Sequence, residues 1–295
     1  MGTALARWIL AWQADPLPMA RKVSVGRVVV TGLLVVTGLY LVCVLGLTLF
    51  QRRLLYFPCR TPFARLSETA EANRFKPWLS PQGGFIGWVR LTTSGAANRQ
   101  ILLLHGNAGC APDWFHYAEQ FQTLEPCDFY ILEYPGFGGR KGPPTQTNLL
   151  GAAEEAFKTL PDKCKVFLVG ESLGTGVTAW LAGVHDRQIG GIFLVAPYNN
   201  LTAVAQRHLP LFPVSLILKD KYPASQWLTN YHGPVAVLLA GRDQVVPTEF
   251  GQALYDSYGG PKKLWMEPGA GHNDVHQPGR NVYPEVLAFW NGSTR

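Results

Sequence analysis

One serine stands between two glycines in Gly170-Glu171-Ser172-Leu173-Gly174, and Asp243 and His272 follow it in the chain. These residue types in this order suit acyl transfer. A hydroxyl attacks a carbonyl, an imidazole takes its proton, and a carboxylate holds the imidazole. A lone serine is a poor nucleophile, so the chemistry requires all three to meet. Taken singly, each has a plainer explanation: Ser172 caps a helix, Asp243 is a solvated turn residue beside Arg242, and His272 is a polar loop histidine. Taken together, in sequence and each following an apolar run, they favour catalysis.

The surrounding runs are what would position them. "KVFLVG" reads as a strand and "LGTGVTAWLAG" as a helix, with the serine at their junction. A tight strand-to-helix turn lifts a hydroxyl clear of a sheet, and small residues two before and two after let the two elements approach. At the helix start, the backbone N–H of Leu173 and the positive end of the helix dipole face a developing oxyanion. "LLLHGNAGCAPDW" supplies a second strand-to-helix loop, in which Asn107 is the first choice for the other backbone donor and Ala108 the second; His105 reads as a structural hydrogen-bonding residue beneath it. "VAVLLAGRDQVVP" puts Asp243 just past a buried strand, and "LWMEPGAGHNDVH" puts His272 in a glycine-rich loop past the last one. Asp274 and His276 lend that loop the look of a metal cluster, but no third strong ligand or helical spacing accompanies them, and neither metal nor cofactor is expected.

Across the whole chain, apolar runs alternate with helical patterns. The runs are 85–89, 101–105, 129–134, 166–170, 191–196, 235–241 and 263–267; the helices are predicted over 113–124, 145–160, 173–185, 248–258 and 282–290. Most runs are continuously apolar, as strands covered on both faces are. The alternation predicts an α/β fold with a mostly parallel, doubly wound sheet, and 295 residues suffice for a full core. Residues 197–233, rich in aromatics and proline, exceed a plain crossover and read as a short helical cap inserted in a domain of residues 81–295.

The N-terminal part is different. Residues 28–50 carry no charge, and 23 helical residues at about 1.5 Å each reach about 34 Å, enough for a bilayer core of roughly 30 Å. A single transmembrane helix is expected, between a basic arm at 1–27 and a juxtamembrane linker at 51–80. A cleaved signal would have a shorter apolar region and a small-x-small site after it. Residues 1–65 hold 8 Lys and Arg against Asp15, a net of +7, while the remaining 18 Lys and Arg face 19 Asp and Glu, a net of −1. The basicity therefore suits anionic lipid near the span, and no nucleic-acid surface is indicated. Arg7, Arg21, Lys22 and Arg27 precede the span and Arg52, Arg53, Arg60 and Arg65 follow it, so charge does not fix orientation. The expectation is a bacterial inner-membrane protein with its body outside the cytoplasm. Five cysteines, at 43, 59, 110, 127 and 164, show no zinc-type spacing and leave the disulfide state open.

With "RRLLYFP", "HGNAG", "GESLGTG", "GRDQVVP" and "GAGHND" in order, the chain resembles membrane-anchored α/β-hydrolases of the abhydrolase-domain, serine-aminopeptidase-like group, over about residues 50–295. The resemblance implies an α/β-hydrolase fold, Ser172 as nucleophile, His272 as base, Asp243 as its orienting carboxylate, and the amides of Asn107 and Leu173 as the oxyanion hole. Glu133 and Pro135 stand where such relatives often carry aspartate and arginine. A lipophilic ester or thioester is the expected small-molecule substrate. Two alternatives are a small-peptide amidase using Glu133 or Glu171 to hold a substrate amine, and a catalytically silent membrane-tethered binding protein.

Overall fold

The structure is a computed structural model in which residues 24–275 and 282–293 are described. The chain divides into two compact units, residues 1–47 and 48–295. Helix α1, Val25–Leu55, is 31 residues long and has no buried residue. Its uncharged side chains are mostly more than half exposed, among them Leu34 at 69% and Val36 at 64%, a surface that water solvates poorly. It is long and apolar enough to cross a membrane. His276, the expected rival to His272, and most of the basic arm lie outside the described residues.

The second unit is built on an eight-stranded sheet. In chain order the elements are β1 (Phe57–Pro58), α2 (Phe63–Ala72), β2 (Lys76–Leu79), β3 (Phe85–Arg90), β4 (Arg99–Leu104) and β5 (Ala108–Gly109). A 3₁₀ turn at Ala111–Trp114 leads into α3 (Phe115–Gln122), followed by β6 (Cys127–Leu132), α4 (Gln146–Thr159), β7 (Val166–Glu171), α5 (Leu173–Val184) and β8 (Ile189–Val195). Then come α6 (Leu201–His208), α7 (Val214–Ile217), α8 (Ala224–Leu228), β9 (Val235–Ala240), α9 (Thr248–Ser257), β10 (Lys262–Glu267) and α10 (Tyr283–Ser293). The spatial order is β10-β9-β8-β7-β4-β6-β3-β2. From β10 to β6 every pairing is parallel; β3 and β2 are antiparallel additions at one edge.

Continuous burial explains the continuous apolar runs. Every residue of β4, β6, β7, β8 and β9 is buried. Side chains alternate between two cores: Leu102 and Leu104 join one with Leu149 and Phe157 of α4, while Ile101 and Leu103 join the other with Phe121 of α3 and Trp290 of α10. The edge strands β2 and β10 are only partly covered.

One segment departs from the sequence reading. Residues 51–80, expected as a linker, carry α2 and β2 and bury Tyr56, Leu66, Phe75 and Trp78. Two short elements separated by polar residues give no periodic signal long enough to read. The segment expected as a cap folds as three short helices, α6 to α8, none longer than 8 residues.

All five cysteines are free thiols. Burial pushes the Cys127 thiol up to about 12. Cys110 is raised too, by burial first and then by its hydrogen bond with Cys59.

Candidate active site

Ser172 occupies the sharp turn between β7 and α5, with φ 50° and ψ −118°. A non-glycine residue in this region is strained by about 1–3 kcal/mol, and the fold holds it there with hydrogen bonds on both sides. The Ser172 N–H donates to Val195 O at 2.9 Å, and its carbonyl accepts from Thr175 N at 3.0 Å and Thr175 Oγ1 at 2.6 Å.

The flanking glycines have distinct reasons. A Cβ on Gly170 would run into Thr178 Oγ1 and meet Gly174 O at 2.8 Å, so strand and helix do nearly touch. A Cβ on Gly174 would overlap Leu104 O on the neighbouring β4 and meet His105 O at 2.7 Å. Any side chain there would push the helix off the sheet.

The three expected side chains come together. His272 Nε2 lies 2.8 Å from Ser172 Oγ, and His272 Nδ1 lies 2.6 Å from Asp243 Oδ2. They descend from the carboxyl ends of β7, β9 and β10, where an open α/β sheet offers its ligand site. Asp243 Oδ1 accepts from Val245 N at 2.8 Å and Val246 N at 2.7 Å, so this carboxylate is an acceptor at both oxygens. The Nδ1 proton of His272 therefore points at Asp243, which leaves Nε2 free to accept from the Ser172 hydroxyl. The side chains of Asp243 and His272 are 2% and 11% exposed, which shields the relay from bulk water.

The two expected oxyanion loops border this hydroxyl. Leu173 is the first residue of α5, so its N–H is among those with no acceptor within the helix. A Cβ on Gly106 would lie 3.7 Å from Ser172 Cβ, which puts the loop after β4 beside the serine. Asn107 turns its side chain away: Nδ2 donates to Leu55 O at 2.8 Å, and its carbonyl accepts from Phe57 N at 2.8 Å. Ala108 is in β5, paired in parallel with Phe57 of β1.

Residues 101–232 match the model of the alpha/beta hydrolase family. An uncharacterized protein of Mycobacterium tuberculosis is 32% identical over 232 residues, covering 76% of this chain and 81% of that protein. The chain belongs to the α/β hydrolase family. Alpha/beta hydrolase domain-containing protein 17C of Xenopus laevis is 26% identical over 206 residues, 67% of this chain and 63% of that protein. Among solved structures, the complex of DcsB with its substrate analogue is similar at TM-score 0.58 and 18% identity, covering 75% of this chain and 99% of that one. Est1E of Butyrivibrio proteoclasticus with bound ferulic acid is similar at TM-score 0.57 and 16% identity, over 74% and 97%. At such identities these structural likenesses speak for the fold.

In this α/β hydrolase the two glutamates that the alternative amidase reading would use for a substrate amine, Glu133 or Glu171, have other partners. Glu133 is fully buried, its Oε2 accepting from Ala111 N at 3.1 Å and its Oε1 lying 3.4 Å from His105 Nε2. Glu171 is 9% exposed and accepts from Tyr117 at 2.6 Å. His105, stacked on Trp114 and donating from Nδ1 to Gly106 O at 2.8 Å, is the expected structural residue beneath the loop. A cavity of about 570 Å³ opens elsewhere on the hydrolase, lined by Leu228, Tyr231, His232 and Gly260, none of them a partner of Ser172.

Sequence reasoning missed the cluster at the end of α1. Arg52 Nε donates to Asp220 Oδ2 at 3.0 Å, Tyr56 OH donates to the same oxygen at 3.1 Å, and the Tyr56 and Tyr222 hydroxyls are 2.9 Å apart. These partners are more than 160 residues apart in sequence. The "RRLLYFP" string was the signal, a polar and aromatic stretch directly after an apolar span.

Proposed function

We propose that the chain is a membrane-anchored serine hydrolase that cleaves carboxylic esters or thioesters of lipophilic acyl groups. The hydrogen-bonded run from Ser172 through His272 to Asp243 carries this reading. Hydrolase membership and esterase neighbours support it: Est1E binds ferulic acid, and another structural neighbour is an acetyl xylan esterase.

In this mechanism His272 Nε2 takes the Ser172 proton as Oγ attacks the acyl carbon. The N–H groups of Leu173 and Asn107, with Ala108 as the second choice in that loop, receive the oxyanion. His272 then gives the proton to the leaving alkoxide or thiolate, and the acyl group stays on Ser172. Water, deprotonated by His272, attacks the acyl-enzyme and releases the acid. Asp243 keeps the imidazole in the required tautomer and stabilises the imidazolium. The apolar helix α1 supports a single membrane span, and the body is placed outside the cytoplasm in this reading, which a C-terminal alkaline phosphatase fusion checks.

The test is covalent labelling of the full chain by a fluorophosphonate together with turnover of p-nitrophenyl esters of increasing acyl length. Ser172→Ala loses labelling and about 10⁶ in kcat. Wild-type protein that takes no label sinks the proposal. Faster cleavage of aminoacyl-p-nitroanilides than of esters replaces the ester reading with an amidase.

A further inference from the structure

The end of α1 and the segment between β8 and β9 are fastened together. Gln51 is the first residue after the apolar run 28–50, and its side chain is held at both ends: Nε2 donates to Ile217 O at 3.0 Å, and Oε1 accepts from Lys219 N at 2.7 Å. Arg52 and Tyr56 then hold Asp220. If residues 28–50 fill the hydrocarbon core, Gln51 lies at its rim, and at about 1.5 Å of rise per helical residue the backbone of 217–219 lies at that same level.

Large apolar side chains face outward from this fastened region. Leu216, directly before the residue bonded to Gln51, is 83% exposed, and Leu211 in the same segment is 80% exposed. On the helix, Phe50 and Leu54 are 51% and 58% exposed. Cations accompany them: Arg53, Lys219 and Lys221 are all exposed, as suits a surface of anionic headgroups. Apolar residues flanked by basic ones, fastened to Gln51 directly after the apolar run, form the pattern of an interfacial contact.

The same segment reaches the chemistry. His208, at the end of α6, donates from Nε2 to Val245 O at 2.9 Å, and Val245 N in turn holds Asp243. The chain therefore runs from the loop that carries Asp243 out through Leu211 and Leu216 to the level of Gln51.

We propose that residues 209–218 form a second membrane contact, inserting Leu211 and Leu216 among lipid acyl chains at the level of Gln51, so that acyl substrates enter the site from the bilayer. This rests on the membrane-span reading above. It adds a surface and a source of substrate to the triad.

The full chain in nanodiscs of phosphatidylcholine and phosphatidylglycerol tests it. Leu216→benzoylphenylalanine, after irradiation, is expected to carry a phospholipid adduct in mass spectra. Lys163→benzoylphenylalanine, at the amino end of β7, is the control and stays unmodified. Equal lipid labelling at both positions, or a crosslink from 216 to a second copy of the chain in place of lipid, overturns the proposal. This readout needs no catalysis, so it stands apart from any failure of the esterase reading. In a second arm, the double variant Leu211→Asp and Leu216→Asp is expected to lower kcat/KM for a vesicle-embedded long-chain ester at least about tenfold, the least that losing one buried leucine would give. Its turnover of a water-soluble short-chain ester and its fluorophosphonate labelling stay at wild-type levels. An equal loss on both esters overturns substrate entry from the bilayer.

Discussion

Asp243 does more than carry a charge, because its two oxygens have separate partners. Oδ1 takes the amides of Val245 and Val246, and Oδ2 faces His272 Nδ1 at 2.6 Å. Asn in its place would keep Oδ1 on the two amides and turn an NH₂ toward His272. The imidazole proton would then move to Nε2, where it blocks acceptance from Ser172. Asp243→Asn is therefore expected to lose about 10⁴ in kcat while the melting temperature stays near wild type, measured on a short-chain p-nitrophenyl ester. A loss below tenfold would show that the imidazole reaches the working tautomer without the carboxylate.

Among the elements, the two-residue strand β1 matters more than its length suggests. It pairs with β5, so that Phe57 N donates to Asn107 O and Cys59 N to Gly109 O, each at 2.8 Å, while Asn107 Nδ2 closes onto Leu55 O. The loop that borders Ser172 is thereby held by the segment that leaves α1. In the proposed mechanism Asn107 acts as a positioning residue through its side chain. Asn107→Ala removes one hydrogen bond, a loss of about 0.5–1.5 kcal/mol in stability. The expected result is a lower kcat at nearly unchanged KM, because a displaced donor weakens the transition state and leaves ground-state binding alone. A rise in KM with kcat unchanged would assign Asn107 to substrate binding instead.

At the scale of the whole molecule, the proposed membrane anchoring rests on α1, which is long and apolar enough to cross a bilayer. No residue of its 31 is buried, and apolar side chains cover it from Val28 to Phe50. Leaving each such leucine or valine in water forgoes roughly 1.5–3 kcal/mol. The chain is therefore expected to stay in the membrane pellet through alkaline carbonate and to be released by detergent. Release by carbonate alone, or a mature protein beginning after residue 50, would show that this helix is not an anchor.

Much of this was legible in the residues. Runs such as "FLVG" and "VAVLLA" are apolar without alternation because both sheet faces are covered, and that local signal is enough to read a parallel sheet. Gly170, Ser172 and Gly174 were legible for the same reason: the close approach that requires them happens within a few residues of the chain, save that Gly174 meets β4 rather than its own strand. The sequence by itself determined the fold class, the three candidate catalytic side chains and the apolar span, since each is written in local composition or order. Only the tertiary structure decided what Glu133, Glu171, Asn107 and Asp220 do. Each of these polar groups is matched to a partner on another element, and burial makes such partners obligatory without leaving a trace in nearby sequence.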